Sequence, residues 1–154
     1  MNYEIATEND IKELFDLQKN AFETEAELTG SRNIPALMES YEKFRSDFEK
    51  WTVLLTRNEA GRIIGAVRFQ KDGGHIDIGR LMVAQEWRNR GIASGLMHAV
   101  EDFSKGKMFE LFTCTKSLPN IKLYKKLGYA SFKIEPGTED LSFVYMRKRI
   151  RVQG

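Results

Sequence analysis

The stretch Gln85–Gly95, QEWRNRGIASG, stands between two apolar runs of different period. Before it, HIDIGRLMV (75–83) reads as a strand. After it, Ile92, Leu96, Val100 and Phe103 recur at helical spacing, which puts a buried helix face there. A strand-to-helix turn with two arginines and two glycines has little to pack. A helix N-terminus offers unpaired N–H groups and the positive end of its dipole. An anion satisfies both where no side chain blocks its approach. Gly91, Ala93 and Gly95 are expected to keep that approach open, and Arg88 and Arg90 to add charge. The plainer alternative is an ordinary turn with solvated arginines.

Working outward, NYEIA (2–6) is a short strand, and Thr7 with Asp10 forms a capping-box pattern. Ile11, Leu14, Phe15 and Phe22 predict a helix over about residues 8–22 or further, broken by TGSRNIP (29–35). A second amphipathic helix carries Leu37, Tyr41, Phe44 and Phe48 on one stripe. From Trp51 the period changes: WTVLLT (51–56), RIIGAVRF (62–69) and HIDIGRLMV form a three-strand antiparallel meander with turns at Asn58–Gly61 and at QKDGG (70–74). Beyond the turn and its helix, FELFTC (109–114) is a buried strand expected to run parallel to the strand before that helix. A helix over about 117–127 has Pro119 in its first turn and Gly128 at its end. YASFKI (129–134) and LSFVYMRKRI (141–150) make a final hairpin around Pro136–Gly137. The order β-α-α-β-β-β-α-β-α-β-β predicts an α/β fold with a mixed central sheet flanked by helices, one domain over residues 1–154.

The bulk numbers bound the function. The 154 residues suit one core. Charged residues at 30% and hydrophobic ones at 42% describe a globular chain, and a net charge of +2 argues for neither a nucleic-acid nor a membrane partner. A single cysteine, Cys114, excludes an internal disulfide and a multi-cysteine zinc site, so no metal is expected. Without a signal-peptide pattern or a run of the roughly 20 apolar residues needed to span a bilayer, a cytoplasmic protein is expected.

Two phosphate motifs are absent: the P-loop with its lysine, and the G-x-G-x-x-G dinucleotide fingerprint. The segment Arg88-Asn89-Arg90-Gly91-Ile92-Ala93 instead resembles the [Q/R]-x-x-G-x-[G/A] segment of the GNAT superfamily of N-acetyltransferases. IGRLMV (78–83) before it and NIKLYKKLGY (120–129) after it resemble the same superfamily in the same order, as does the element order over about residues 1–149.

That resemblance implies acetyl-CoA as co-substrate, without a metal. It places the coenzyme A pyrophosphate on the backbone of Arg88, Asn89, Arg90, Gly91, Ile92 and Ala93, with the Ser94 hydroxyl as a further contact. It assigns the pantetheine arm and the thioester carbonyl to the backbone of Leu81, Met82 and Val83, with an oxyanion-hole N–H near Leu81 or Met82. Tyr124 matches the tyrosine that many members use as the general acid for the departing thiolate. Many members place an asparagine seven residues before that tyrosine; here Ser117 stands there, and Asn120, four residues before it, shares or replaces the contact.

An amine with a solution pKa of about 10 must lose a proton before it attacks. Some members use a glutamate eleven residues before the [Q/R] position, which falls here on Asp77, acting directly or through water. His75 reads as a surface histidine, Cys114 as a buried inert thiol, and Glu25 and Glu27 as weaker candidates for holding a cationic amine. The basic run Arg147–Arg149 with Arg151 lacks interleaved aromatics and reads as a solvated strand end rather than a nucleic-acid surface. The expected activity is acetyl transfer to a primary amine of a small molecule or peptide by direct attack in a ternary complex; a homodimer is plausible by analogy. A non-catalytic CoA-binding sensor domain is the alternative, which thiol release across an amine panel would separate.

Overall fold

Alternation along the strand β2 (Thr52–Arg57) sorts the interior: Val53 and Leu55 face one core cluster while Leu54 faces another. In the computed structural model, which describes residues 1–137 and 140–151, those clusters lie on the two faces of a seven-stranded sheet. Its strands are β1 (Glu4–Ile5), β2, β3 (Ile63–Asp72), β4 (His75–Val83), β5 (Met108–Cys114), β6 (Ala130–Pro136) and β7 (Ser142–Arg149). The spatial order is β1-β2-β3-β4-β5-β7-β6, with β4 and β5 parallel and every other pair antiparallel. The meander and the parallel crossover are as expected. The mixed-sheet α/β fold is that of a single domain.

One face is covered by α1 (Ile11–Thr29), α2 (Pro35–Met38) and α3 (Tyr41–Asp47), the other by α4 (Ile92–Ser104) and α5 (Leu118–Lys126). The Thr7–Asp10 capping box is present, but it opens a 3-10 turn at Glu8–Asp10 that runs on into α1. That helix ends at Gly30, in the left-handed region, well past residue 22. The extension was hidden because its buried positions after Phe22 are Glu25, Ala26 and Thr29, a polar or small stripe with little apolar period. The single second helix is in fact two. Glu39 and Ser40 are extended, and the Ser40 hydroxyl accepts from the Lys43 N–H to start α3. Phe103 is also corrected: it shares the face of Ile92 and Leu96, yet it is 47% exposed, because the core contacts run out at Ala99 and Val100 before the helix does.

Two irregularities in β4 position everything that follows. First, β4 pairs with β5 only at Ile76↔Phe109 and Asp77↔Glu110, whereas β5 stays paired with β7 as far as Cys114. From Ile78 onward β4 keeps one neighbour, β3. Second, Ala66 pairs with Met82 and Arg68 with Gly79, so a step of two on β3 meets a step of three on β4. The extra residue is a β-bulge, and Arg80 within it has φ 49. Alternation then changes phase: Ile76 and Ile78 face the α4–α5 core, while Met82 faces the α1 core.

Gly95 has a different role from the one expected of it. A Cβ there would collide with the Tyr3 hydroxyl, so the glycine makes room for an internal contact rather than for an anion. Gly95→Ala gains helix propensity of under about 1 kcal/mol. Overpacking should outweigh that gain, with a net loss of about 1–2 kcal/mol in urea unfolding. The loss should largely disappear in a Tyr3→Ala background; an equal loss in both backgrounds would show that Tyr3 is not the obstacle.

Candidate functional site

The parting of β4 from β5 opens a cavity of about 450 Å³ through the sheet. Ile78–Leu81 line one wall and Leu111–Cys114 the other, with Asn120 and Tyr124 of α5 and Phe22 and Glu25 of α1 closing its sides. Because β4 has no second strand partner here, the backbone of residues 78–83 is a free sheet edge, and its Ile78–Leu81 part lines the cavity. An extended ligand carrying amide groups can pair with such an edge as a strand would.

Past Val83 the chain makes a 3-10 turn at Gln85–Trp87 and then α4. Asn89 (φ 62) and Gly91 (φ 80) are both left-handed, with Gly91 as the N-cap of α4. Left-handed residues at such spacing turn successive N–H groups toward one concave side, a geometry suited to phosphate oxygens. No heavy atom lies within 4 Å of where a side chain on Gly91 would begin. The arginines divide. The Arg90 guanidinium stacks on the exposed side of the turn against Trp87, 4.5 Å from the ring centroid. Arg88 turns away and donates from Nη2 to the Ala21 carbonyl at 2.7 Å. The charge expected of Arg88 is therefore spent on α1, and the backbone of that residue is what remains for a ligand. Ile92 is buried beneath the turn; Ala93 and Ser94 are half-buried.

Tyr124 is almost enclosed, and burial followed by the Glu25 charge pushes its hydroxyl above the usual phenol range. It therefore stays protonated at neutral pH, as a proton donor must. Ser117 is fully buried and donates its hydroxyl to Glu25 Oε1 at 2.5 Å, so its side chain does not reach the cavity. Asn120 lines the cavity and donates from Nδ2 to Thr113 Oγ1 at 3.4 Å. Thr113 in turn donates to Glu25 at 3.4 Å. Glu25 is thus a buried carboxylate at the parting of the strands, whereas Glu27 is solvent-exposed and lies off the cavity. Cys114 is inert: burial, then Glu25, pushes its thiol up to about 12.

His75 is partly exposed rather than a free surface residue. It lines the cavity beside Asp77, its Nε2 lying 2.7 Å from Asp77 Oδ1 and its Nδ1 3.7 Å from Glu110 Oε2. Period two puts both residues on one strand face, where side chains from the neighbouring strands, Asp72 and Glu110 among them, flank the pair. Burial raises the Asp77 pKa, with the His75 hydrogen bond offsetting part of the rise. Asp72 joins this pair with donor atoms within 4.8 Å, the grouping among the described residues closest to a cation-binding set.

Two further cavity residues, Arg68 and Arg80, gave no motif signal. Arg68 packs on Trp51 at 4.1 Å from the ring centroid, and Arg80 Nη2 lies 3.6 Å from Glu39 Oε1. The basic run on β7, which reaches Glu110 at the His75 end of the cavity, is partly neutralised, Arg147 by Glu110 and Lys148 by Glu101.

This geometry has close counterparts. The sequence model of the acetyltransferase (GNAT) family matches residues 11–129. The catalytic subunit NAA20 of the N-terminal acetyltransferase B complex from Arabidopsis thaliana is 34% identical over 77 residues, 47% of this chain and 44% of that one. The chain spans 34% and 44% of the lengths of two curated relatives it matches. Among solved structures, the ribosomal-protein-S18-alanine N-acetyltransferase from Escherichia coli superposes with a TM-score of 0.78 at 17% identity, covering 99% of this chain and 96% of that one. The putative streptothricin acetyltransferase from Bacillus anthracis, solved in complex with acetyl coenzyme A, superposes with a TM-score of 0.61 at 16% identity over 66% of this chain and 64% of its own. With the family model matched over residues 11–129, the chain belongs to the GNAT family of acetyltransferases.

Proposed function

We propose that this enzyme transfers the acetyl group of acetyl-CoA to a primary amine of a small molecule or peptide, by direct attack in a ternary complex. The observation that carries this reading is the β4 backbone from Ile78 to Val83, paired to β3 but without a β5 partner, with the Gly91 turn beyond it and Tyr124 on the cavity beside it. The amides of Arg88–Ala93, with the Ser94 hydroxyl, hold the pyrophosphate at the start of α4. Leu81, Met82 and Val83 pair through their backbone with the pantetheine arm, and an N–H of Leu81 or Met82 polarises the thioester carbonyl. The Asn120 side chain, at the cavity wall, is the polar contact that Ser117 does not supply.

The amine nitrogen attacks the carbonyl carbon, a C–N bond forms and the C–S bond breaks. Tyr124 gives its proton to the departing sulfur, and Asp77 receives the proton lost by the amine. Asp77 stands four residues before Leu81 on β4, about 13 Å at strand rise, so it works through intervening water rather than by touching the amine, with His75 hydrogen-bonded behind it. Glu25, beside Tyr124, holds the ammonium before deprotonation.

Three outcomes test these roles. Gly91→Glu places a bulky anion in the phosphate cradle; calorimetry should show acetyl-CoA affinity falling by more than about tenfold, and unchanged affinity would remove the turn from the site. Tyr124→Phe should lower kcat by about 100-fold while sparing KM for acetyl-CoA, and an unchanged kcat would take the phenol out of the reaction. Asp77 is a base only when ionised, and its pKa is raised. The wild-type rate should therefore fall as pH drops through that raised value, and Asp77→Asn should be slow with that acid limb flattened. An identical pH profile in the variant would assign the base elsewhere. Coenzyme binding without thiol release from any amine would favour a sensor domain instead.

A further inference from the structure

The cavity wall formed by β3, β4 and the α1–α2 side of the sheet carries more positive charge than its neighbours neutralise. Arg68 and Arg80 share one largely buried carboxylate, Glu39, which Gln18 Nε2 fixes by a hydrogen bond at 2.9 Å. Lys19, off the cavity lining, gives its ammonium to the Ala36, Leu37 and Glu39 carbonyls. Asp47 lies within electrostatic reach of both arginines but is already paired with Lys43 at 2.6 Å and Lys50 at 3.4 Å. Glu25 is engaged by Ser117 and Thr113. Among the described residues no carboxylate lies within ion-pairing distance of Arg68, and the Nε atoms of Arg68 and Arg80 are buried without a hydrogen-bond partner. Burial, then the charge of Arg80, pushes the Arg68 guanidinium down to about 10. Leaving such groups unpartnered is costly.

The backbone shows that the position of Arg80 is held at a cost. It is the inserted residue of the β4 bulge and sits at φ 49, where glycine would be free of strain. Strict alternation from Asp77 would send residue 80 toward the α4–α5 core. The bulge instead puts Arg80 on the face of Arg68, Asp77 and Gly79. Trp51, stacked on Arg68, holds the second guanidinium on that wall.

We propose that Arg68 and Arg80 form an anion subsite for the carboxylate of an amino-acid-like acceptor. This inference rests on the acetyl-transfer reading. Paired guanidinium forks suit a carboxylate, which would satisfy donors the protein leaves unused. Arg80 directly precedes Leu81, and Arg68 is paired with Gly79, so both arginines belong to the stretch that carries the proposed thioester contact and line the same cavity. A free α-amino acid carries its carboxylate and its amine close enough together to use one such cavity. A polyamine would be repelled by the two cations, and in a peptide the α-carboxyl beside the N-terminal amine is tied up as an amide. The carboxylates Glu25, Asp72 and Asp77 on the same cavity complete a lining for a zwitterion.

The test uses the full chain with acetyl-CoA, a panel of free L-amino acids, the matching amino-acid amides and the matching decarboxylated amines, with thiol release as readout. At least one free acid should exceed its amide and its amine by about tenfold or more in kcat/KM. In Arg68→Met, which keeps an apolar stem against Trp51, KM for that acid should rise by a similar factor while calorimetry shows retained acetyl-CoA affinity. Equal or better turnover of the amides or amines by the wild type, a comparison that needs no variant, would overturn the subsite alone. No thiol release from any class of acceptor would overturn the acetyl-transfer reading and this inference with it.

Discussion

A central strand with a neighbour on only one side is the constraint on which the rest of this structure depends. β4 shares its ladder with β5 for two residue pairs and then leaves it, although both strands continue. The bulge at Arg80 is the local cause, since an extra residue on one strand bends it and increases its twist. Backbone groups that a flat sheet would have satisfied internally are left to a ligand or to water. The cavity, the exposed edge and the placement of Tyr124 all follow from that one departure from regular pairing.

The charges in the cavity are zoned rather than mixed. Asp72, His75, Asp77 and Glu110 gather where the strands are still paired, and Arg68 and Arg80 lie across from α2, beyond the point where they part. Burial, and after it the Glu25 charge, raises the pKa of both the Tyr124 phenol and the Cys114 thiol. The same surroundings thus favour a proton donor and suppress a competing nucleophile. The Arg90–Trp87 and Arg88–Ala21 contacts brace the turn from both sides, leaving its amides as the part presented outward.

Most of the fold was legible because hydrophobic period and turn chemistry agree with one another: the three-strand meander, the parallel crossover and the Gly91 turn all read directly from residues 51–114. Failures occurred where burial did not coincide with apolarity. The last turns of α1 bury Glu25 and Thr29, so no stripe announced them. His75 and Asp77 lie on a face that ordinary alternation marks as polar and solvated, and only the tertiary cavity makes that face an interior. Arg80 was unreadable for a stricter reason. A bulge shifts the face of every later residue in the strand, and nothing in HIDIGRLMV marks where the extra residue falls. The Ser117 departure was visible, but its outcome, a hydroxyl consumed by Glu25, required the packing of α1 against α5.

The most direct test of the central claim is an amide chemical-shift titration of the protein with acetyl-CoA. The largest perturbations should fall on Leu81, Met82 and Val83, where β4 lacks a second partner, and on residues 89–94 of the turn. Saturable binding that leaves the amides of residues 81–83 unperturbed would contradict the claim that the parted strand is the seat of the thioester.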